Sequence, residues 1–379
     1  LGVDAIHPGY GFLSENASFA ETCQHLGIAF IGPEPRHLRD FGLKHIARDL
    51  AIQAKVPLLP GSGLLNSIDH ALEQAERIGY PVMLKSSAGG GGIGMQRCDS
   101  SQILADAYEQ VARMSQNAFG QNDLFLEKFV VNARHLEIQI FGDGQGKVVS
   151  FGERDCSLQR RNQKVVEETP AVGIARSQIA EMEAHAIRLG ELVNYKSAGT
   201  VEYVYDADDQ QYYFLEVNTR LQVEHGITEA VRDVDLVAWM IQVAYQPELP
   251  EAVKPASGHA IEVRVYAEDP FKNFQPSSGK LTGWKMPSDC RVDTWCSRGQ
   301  EVSSFYDPML AKIIVKGETR QQAVQTLQTA MAETRIDGFE TNIMFLDAIS
   351  HAPAFIKADG LYTQFLNSFS YAPSTVEVT

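Results

Sequence analysis

The chain has 379 residues, 44% hydrophobic and 21% charged, enough apolar material for a buried core in two or three domains or subdomains. Its formal net charge of −15 excludes a broad nucleic-acid or anionic-membrane surface, so any bound anion must be gathered by local basic residues. No apolar run reaches membrane-spanning length. Five scattered cysteines without a CxxC pair read as free thiols of a reducing, cytoplasmic compartment. The opening Leu1-Gly-Val-Asp-Ala5 reads as the middle of a domain, so targeting is not legible here.

In chain order, residues 1–32 read as short strand-like pieces around a helix near Asn16–Leu26, α/β in character but too short for a domain. Residues 33–58 read as a helical linker ending at Pro57 and Pro60. Residues 59–130 alternate: a helix near Ile68–Ile78, a strand at Tyr80–Lys85, a glycine loop, a helix near Ser101–Gln116 and a strand at Asp123–Phe129. Residues 131–366 form a larger mixed unit. There Arg134–Phe141 and Lys147–Phe151 flank an Asp-Gly-Gln-Gly turn, a strong hairpin signal. Ile179, Met182, Ala186, Leu189 and Val193 place a core-facing stripe on a helix over Ser177–Val193. Gly199–Tyr205 and Tyr212–Asn218 read as a second hairpin, with Glu202 falling opposite Glu216. Further strands at His259–Glu268 and Met309–Val315 precede helices at Arg320–Arg335 and Asn342–Ser350. The fold class is a combination of α/β and α+β, and residues 367–379 form a tail.

Chemistry concentrates in Phe214-Leu-Glu-Val-Asn-Thr-Arg-Leu-Gln-Val-Glu-His225. In an extended chain Glu216 and Asn218 share a face, and continued extension brings Arg220, Gln222 and Glu224 after them. With Glu202 opposite, two carboxylates and an amide oxygen suit Mg²⁺ or Mn²⁺, which take hard oxygen ligands and are often shared with phosphates. An edge hairpin with solvated acids is the plain alternative. Lys85 ends a strand and is followed by Gly89, Gly90, Gly91, Gly92 and Gly94, a run whose backbone can approach phosphate oxygens closely. It is neither a P-loop nor a dinucleotide fingerprint and fits a flap over a triphosphate. Glu127 and Lys128 end another strand, either beside an adenine-sized pocket or as a surface ion-pair strand. Arg154, Arg160, Arg161 and Lys164 cluster in a net-acidic chain, either to neutralise phosphate or bicarbonate oxygens or as a solvated charged loop. Cys156 lacks a matched His base and reads as a structural thiol.

These segments together resemble the biotin carboxylase family of the ATP-grasp superfamily. The matching runs are His7-Pro-Gly-Tyr-Gly-Phe-Leu-Ser-Glu-Asn16, Lys85 with the glycine loop, Glu127-Lys128, Arg134-His-Leu-Glu-Ile-Gln139, Glu153–Arg161, Gln163–Glu168 and Glu216–His225, with Tyr306-Asp307 and Lys312 continuing the match. The resemblance implies an ATP-grasp fold with a truncated Rossmann-like N-terminal subdomain (1–32), a glycine-loop lid (59–130), and an ATP-grasp core with a C-terminal mixed-sheet subdomain (131–366). It implies that ATP phosphorylates bicarbonate to carboxyphosphate, which delivers CO₂ to biotin carried by another domain or chain. By motif position, Lys44, Lys85, Gly89–Gly92, Glu127, Lys128, Val130, His135 and Gln159 correspond to nucleotide contacts. Glu202, Glu216 and Asn218 correspond to metal ligands, and Lys164, Arg220, Gln222 and Val223 to the bicarbonate cradle. Glu224 corresponds to the general base, and Arg291 to the group stabilising the biotin enolate. Asn162 stands where many members carry histidine, and Gly226 where proline usually follows Val-Glu-His.

Within the family, Phe41–Ala47, Pro57–Leu65, Arg161-Asn-Gln163 and Phe369–Val378 resemble the biotin carboxylase part of urea carboxylase most. That resemblance implies a biotinyl carrier domain and a carboxyltransferase region as partners, and a homodimer as a possible state. The biotin carboxylase of an acyl-CoA or pyruvate carboxylase shares the catalytic motifs. A catalytically silent nucleotide-binding module is the reading from a different class.

Overall fold

The computed structural model of the chain describes residues 2–87, 94–120, 122–250 and 252–371. Gly89–Gly92 and the end of the tail, residues 372–379, lie outside the described residues.

The N-terminal segment pairs Ala5–Ile6 with Ala29–Phe30 in parallel around the helix Ala17–His25. Asn16 caps that helix by accepting a hydrogen bond from the Phe19 amide. The expected linker is two helices, Pro35–Gly42 and Lys44–Gln53, that fasten the N-terminal segment to the rest. Leu38 packs with Ala20, Cys23 and Phe30, while Phe41, Ala47 and Ala51 pack into the larger core. Residues 59–130 carry a three-stranded antiparallel sheet, Met95–Cys98, Val82–Ser86 and Leu124–Lys128 in that order. The helices Ile68–Ile78 and Ser101–Phe119 cover it, each started by a serine cap.

The site is carried by an eight-stranded antiparallel sheet. In spatial order its strands are Gln211–Asn218, Lys196–Asp206, Ala133–Asp143, Val148–Arg160, Gln163–Thr169, His259–Tyr266, Met309–Gly317 and Arg291–Thr294. The helix Arg176–Leu192 buries Ile179, Met182, Ala186 and Leu189 against one end, as its periodicity requires. The helices Arg320–Glu333 and Ile343–His351 cover the other end.

Three sequence readings change. The Arg154–Glu168 run is not a loop: the strand Val148–Arg160 turns at Arg161-Asn162 into Gln163–Thr169. Arg161 and Asn162 both take positive φ, 53° and 65°, the backbone of a two-residue hairpin turn, and asparagine tolerates that region better than most residues. Extension does not continue past Asn218, because the chain leaves the sheet and Glu224 becomes the N-cap of the helix His225–Arg232. The C-terminal core extends past 366, since Phe369 and Tyr371 both pack edge-on against Phe345, at 5.9 and 5.8 Å between ring centroids.

Gly226 opens that helix against the sheet. A Cβ there would stand 2.4 Å from Ile314 Cδ1, so a side chain at 226 requires the Ile314 side chain to shift. Gly226→Ala is expected to destabilise by about 1–3 kcal/mol through overpacking. Adding Ile314→Val, which deletes the Cδ1 methyl, is expected to recover part of that loss in urea unfolding.

Candidate active site

The hairpin register builds a row of charge across the sheet. Glu216 pairs with Glu202, Glu202 with Glu137, and Glu137 with Arg154. Like charges directly opposite each other repel, so such a row persists only if cations are supplied. The fully buried Arg154 supplies one. It donates to Glu137 Oε1, and also to Gln139 Oε1 (2.8 Å), Thr228 Oγ1 (2.9 Å) and Thr200 Oγ1 (3.2 Å). Lys164 supplies the other, its Nζ donating to Glu137 Oε2 (2.6 Å), Glu202 Oε1 (3.0 Å) and Glu224 Oε1 (2.7 Å). Burial works against the Lys164 charge, but Glu137, Glu202 and Glu224 together hold its pKa well above the usual lysine value.

Glu224 is completely buried. Burial alone would raise its pKa. Lys164, Arg264 and Arg154 outweigh that and hold it well below the ordinary carboxylate value, so the group is ionised throughout the neutral range. Arg264 Nη2 donates to Glu224 Oε2 at 2.9 Å and Arg264 Nε to Glu167 Oε1 at 2.6 Å. Cys156 Sγ lies 3.8 Å from Glu224 Oε1, and its thiol pKa is pushed well up by burial and then by Glu137, so it stays a neutral packing group.

Above this row lies a cavity of about 960 Å³, the right size for a nucleotide with a second small substrate. Eight Lys or Arg side chains and five Asp or Glu line it, a local excess of positive charge inside a chain of net charge −15. Phe125, Met95, Phe214 and Leu215 give one wall an apolar surface. Beside them, Glu127 receives both Lys85 and Arg48. Burial pushes Glu127 up, but these two cations overcome it and keep the carboxylate below its ordinary pKa.

Of the residues named from sequence, Lys44, Lys85, Glu127, His135, Gln159, Lys164, Glu202, Glu216, Asn218, Arg220, Gln222 and Val223 line the cavity. Arg220 donates to Asn218 Oδ1 (3.1 Å), Gln222 Oε1 (3.0 Å) and Glu15 Oε2 (3.1 Å), so the N-terminal segment braces the cradle. Lys128 points away, donating to the carbonyls of Gly79 (2.9 Å) and Tyr80 (3.2 Å). Val130 is buried among Leu59, Ala133 and Val204. Arg291 lies outside the cavity lining, engaged with Glu229 and with Asp293 Oδ1 (2.8 Å). The cation that faces Glu224 is Arg264, which the sequence reading missed. The available signal was Glu262 and Arg264 sharing one face of an otherwise apolar strand.

Among the described residues, one compact set of donor atoms for a cation is His135, Glu137 and Glu202, within 4.8 Å of one another. Lys164 already occupies its centre, so a second cation there would be repelled. Glu202, Glu216 and Asn218 fit better. Glu216 lines the open cavity and makes no ion pair among the described residues, while Asn218 offers its amide oxygen, which accepts from Arg220 at 3.1 Å. Withdrawal from water and then the Glu202 charge raise the Glu216 pKa, which is the electrostatic signature of a place that a divalent cation would relieve.

The chain matches three family models in succession: the biotin carboxylase N-terminal domain over residues 1–38, the ATP-binding domain of the carbamoyl-phosphate synthase L chain over 44–252, and the biotin carboxylase C-terminal domain over 262–368. It is 50% identical over 377 residues to the urea amidolyase of Saccharomyces cerevisiae, covering 99% of this chain and 20% of that protein. It is 43% identical over 395 residues to a putative urea carboxylase of Emericella nidulans, covering 100% of this chain and 32% of that protein. The crystal structure of the biotin carboxylase domain of Hydrogenobacter thermophilus 2-oxoglutarate carboxylase, in complex with MgADP, ADP and bicarbonate, superposes with a TM-score of 0.90 at 39% identity, covering 98% of this chain and 84% of that one. Kluyveromyces lactis urea carboxylase superposes with a TM-score of 0.78 at 42% identity, covering 98% of this chain and 27% of that one. The chain therefore belongs to the biotin carboxylase family, with the ATP-grasp fold. Its closest kinship among these four is with the urea amidolyase, of whose length it spans about a fifth.

Arg154→Met removes the cation that answers Glu137 and leaves a buried carboxylate short of a partner. The expected cost is about 3–5 kcal/mol in denaturant unfolding. Replacing both partners, Arg154→Met with Glu137→Gln, is expected to cost less than the single change.

Proposed function

We propose that this chain carboxylates biotin at the expense of ATP and bicarbonate, as the biotin carboxylase component of a cytoplasmic urea carboxylase. The observation that carries the reading is Glu224: a fully buried yet ionised carboxylate, ringed by Lys164, Arg264 and Arg154 beneath a cationic cavity. Kinship with urea amidolyase and urea carboxylase supports urea as the final acceptor. The 2-oxoglutarate carboxylase domain superposed above was crystallised with MgADP and bicarbonate, which supports the two small substrates.

In this mechanism Arg220, Gln222 and the Val223 backbone hold bicarbonate against Lys164, and Glu224 takes its proton. Lys164 is spread over three carboxylates in the resting site. Turning toward an incoming anion withdraws it from Glu224, which raises the basicity of Glu224 when the proton must move. The freed bicarbonate oxygen forms a bond to the γ-phosphorus as the bond to ADP breaks, giving carboxyphosphate. Glu202, Glu216 and Asn218 would hold a divalent cation, which would supply neutralising charge for the ATP phosphates. Lys85 and Arg48 hold Glu127 at the nucleotide wall. Carboxyphosphate then releases CO₂ to biotin N1, whose proton passes to the departing phosphate. Arg291 stabilises the negative charge that develops on the biotin ureido oxygen, while Arg264 holds Glu224 in place. A biotinyl carrier domain and a carboxyltransferase region are the partners this chemistry requires, and a homodimer is the expected assembly.

Glu224→Gln is expected to lower bicarbonate-dependent ATP cleavage about 10²–10⁴-fold while leaving nucleotide binding intact. Persistent biotin-stimulated turnover in that variant would refute the reading. Glu216→Gln is expected to weaken Mn²⁺ binding in the presence of ADP by about 10–100-fold, measured by calorimetry without turnover.

A further inference from the structure

Behind Glu224, on the side away from the cavity, two more carboxyls are fully buried. Glu262 on the strand His259–Tyr266 stands directly opposite Glu167 on Gln163–Thr169. Side chains so paired have Cβ atoms about 4.5–5.5 Å apart, within reach of each other's carboxyl groups. The first turn of the helix His225–Arg232 closes over them, with a Cβ at Gly226 falling 3.5 Å from Glu262 Oε2.

The surrounding cations are already committed. Arg264 divides its guanidinium between Glu167 Oε1 and Glu224 Oε2. Lys312 donates to the Val223 carbonyl at 2.6 Å and stands 3.3 Å from Asp293 Oδ2, but 3.9 Å from Glu262. Lys164 serves Glu137, Glu202 and Glu224, and Arg154 serves Glu137. His225 is neutral, its pKa lowered to about 3 by burial and then by Lys312. Glu262 is left with both oxygens unpaired and Glu167 with one, Oε2. Two ionised carboxylates so placed repel each other at a large desolvation cost, whereas one proton between them gives an acid O–H and the acceptor it needs.

We propose that Glu262 is a positioning residue: with Glu167 it forms a buried acid–carboxylate pair that keeps one proton, and that proton lets Arg264 remain on Glu224. The inference rests on the biotin carboxylase reading for its catalytic consequence but not for the existence of the pair. Losing the proton adds a second negative charge beside Glu167. Arg264 is then drawn toward the pair and away from the base and the substrate anion. Burial sets the direction of titration, raising Glu262 to about 8 and Glu167 to about 7, with Arg264 and Lys312 opposing the rise. The folded protein thus holds a proton that the unfolded chain releases near the ordinary carboxylate value of 4.5. Stability from this source falls as pH rises across the window from about 4.5 to about 8.

Two readouts on the full chain decide the matter. Infrared spectroscopy of the substrate-free protein at neutral pH should show a buried protonated carboxyl that disappears as pH rises through about 8 and is absent in Glu262→Gln. In turnover, Glu262→Gln, a neutral isostere of the protonated acid, should keep neutral-pH kcat within about twofold and lose the alkaline decline of the parent. Glu262→Asp should restore that decline. The proposal is overturned if the infrared band is missing from the parent, if the alkaline limb is unchanged in Glu262→Gln, or if that variant fails to fold. A parent that shows the band but no bicarbonate-dependent turnover would leave the pair standing and remove the proposed function instead.

Discussion

A single ammonium group, Lys164 Nζ, holds three buried carboxylates together, and the site exists because it does. Glu137 and Glu202 are direct cross-strand neighbours, an arrangement that repels in isolation. Lys164 reaches them from the hairpin Val148–Arg160/Gln163–Thr169, which delivers the lysine three residues past the start of its turn at Arg161. Without Lys164 the row Glu216–Glu202–Glu137 would be left, among the described residues, to Arg154 at its far end and to His135, whose Nε2 stands 3.2 Å from Glu202 Oε2. The same ammonium touches Glu224, so the charge that keeps the sheet's interior tolerable is also the largest of those that hold Glu224 ionised.

This arrangement reconciles a strongly acidic chain with anionic substrates. Eight of the 33 Lys and Arg side chains gather in the cavity wall, where low dielectric gives each cation more effect than it has in water. Six of the eight are held by acids in the resting structure: Lys85 and Arg48 by Glu127, Arg160 by Glu268, Arg264 by Glu167 and Glu224, Lys164 by Glu137, Glu202 and Glu224, and Arg220 by Glu15. Anions entering the cavity would therefore compete with fixed carboxylates for them. That competition makes binding a rearrangement of ion pairs and not the neutralisation of free charge.

Local pattern made much of the fold legible. The helix Ile68–Ile78 and the opposition of Glu202 to Glu216 follow from periodicity and turn chemistry alone. The Arg154–Glu168 run was harder, because four cations in eleven residues have the composition of a solvated loop. Arg154 and Lys164 are nevertheless withdrawn from solvent, because the partners that neutralise them, Glu137 and Glu202, come from strands far away in sequence, whereas Arg161 at the turn stays exposed. Arg291 and Arg264 show the same limit. Spacing from Tyr306-Asp307 singles out Arg291 but not its partners Glu229 and Asp293, and it is the strand pairing of His259–Tyr266 with Gln163–Thr169 that carries Arg264 to Glu224. Lys128 was misplaced for a simpler reason: strand alternation turns it to the side opposite Glu127, where two carbonyls receive it.

The eight-stranded sheet runs without interruption across the boundary between the family segments 44–252 and 262–368. Its seam is the pairing of Gln163–Thr169 with His259–Tyr266, and the base and its guanidinium partner come from opposite sides of the division. As units of inheritance the two segments are therefore not interchangeable parts. A chimera joined between residues 252 and 262 would pit one ancestor's Glu167 and Glu224 against another ancestor's Glu262 and Arg264. A recombinant that keeps these contacts would have to carry both edges of the seam, and Glu224 with them, from one parent.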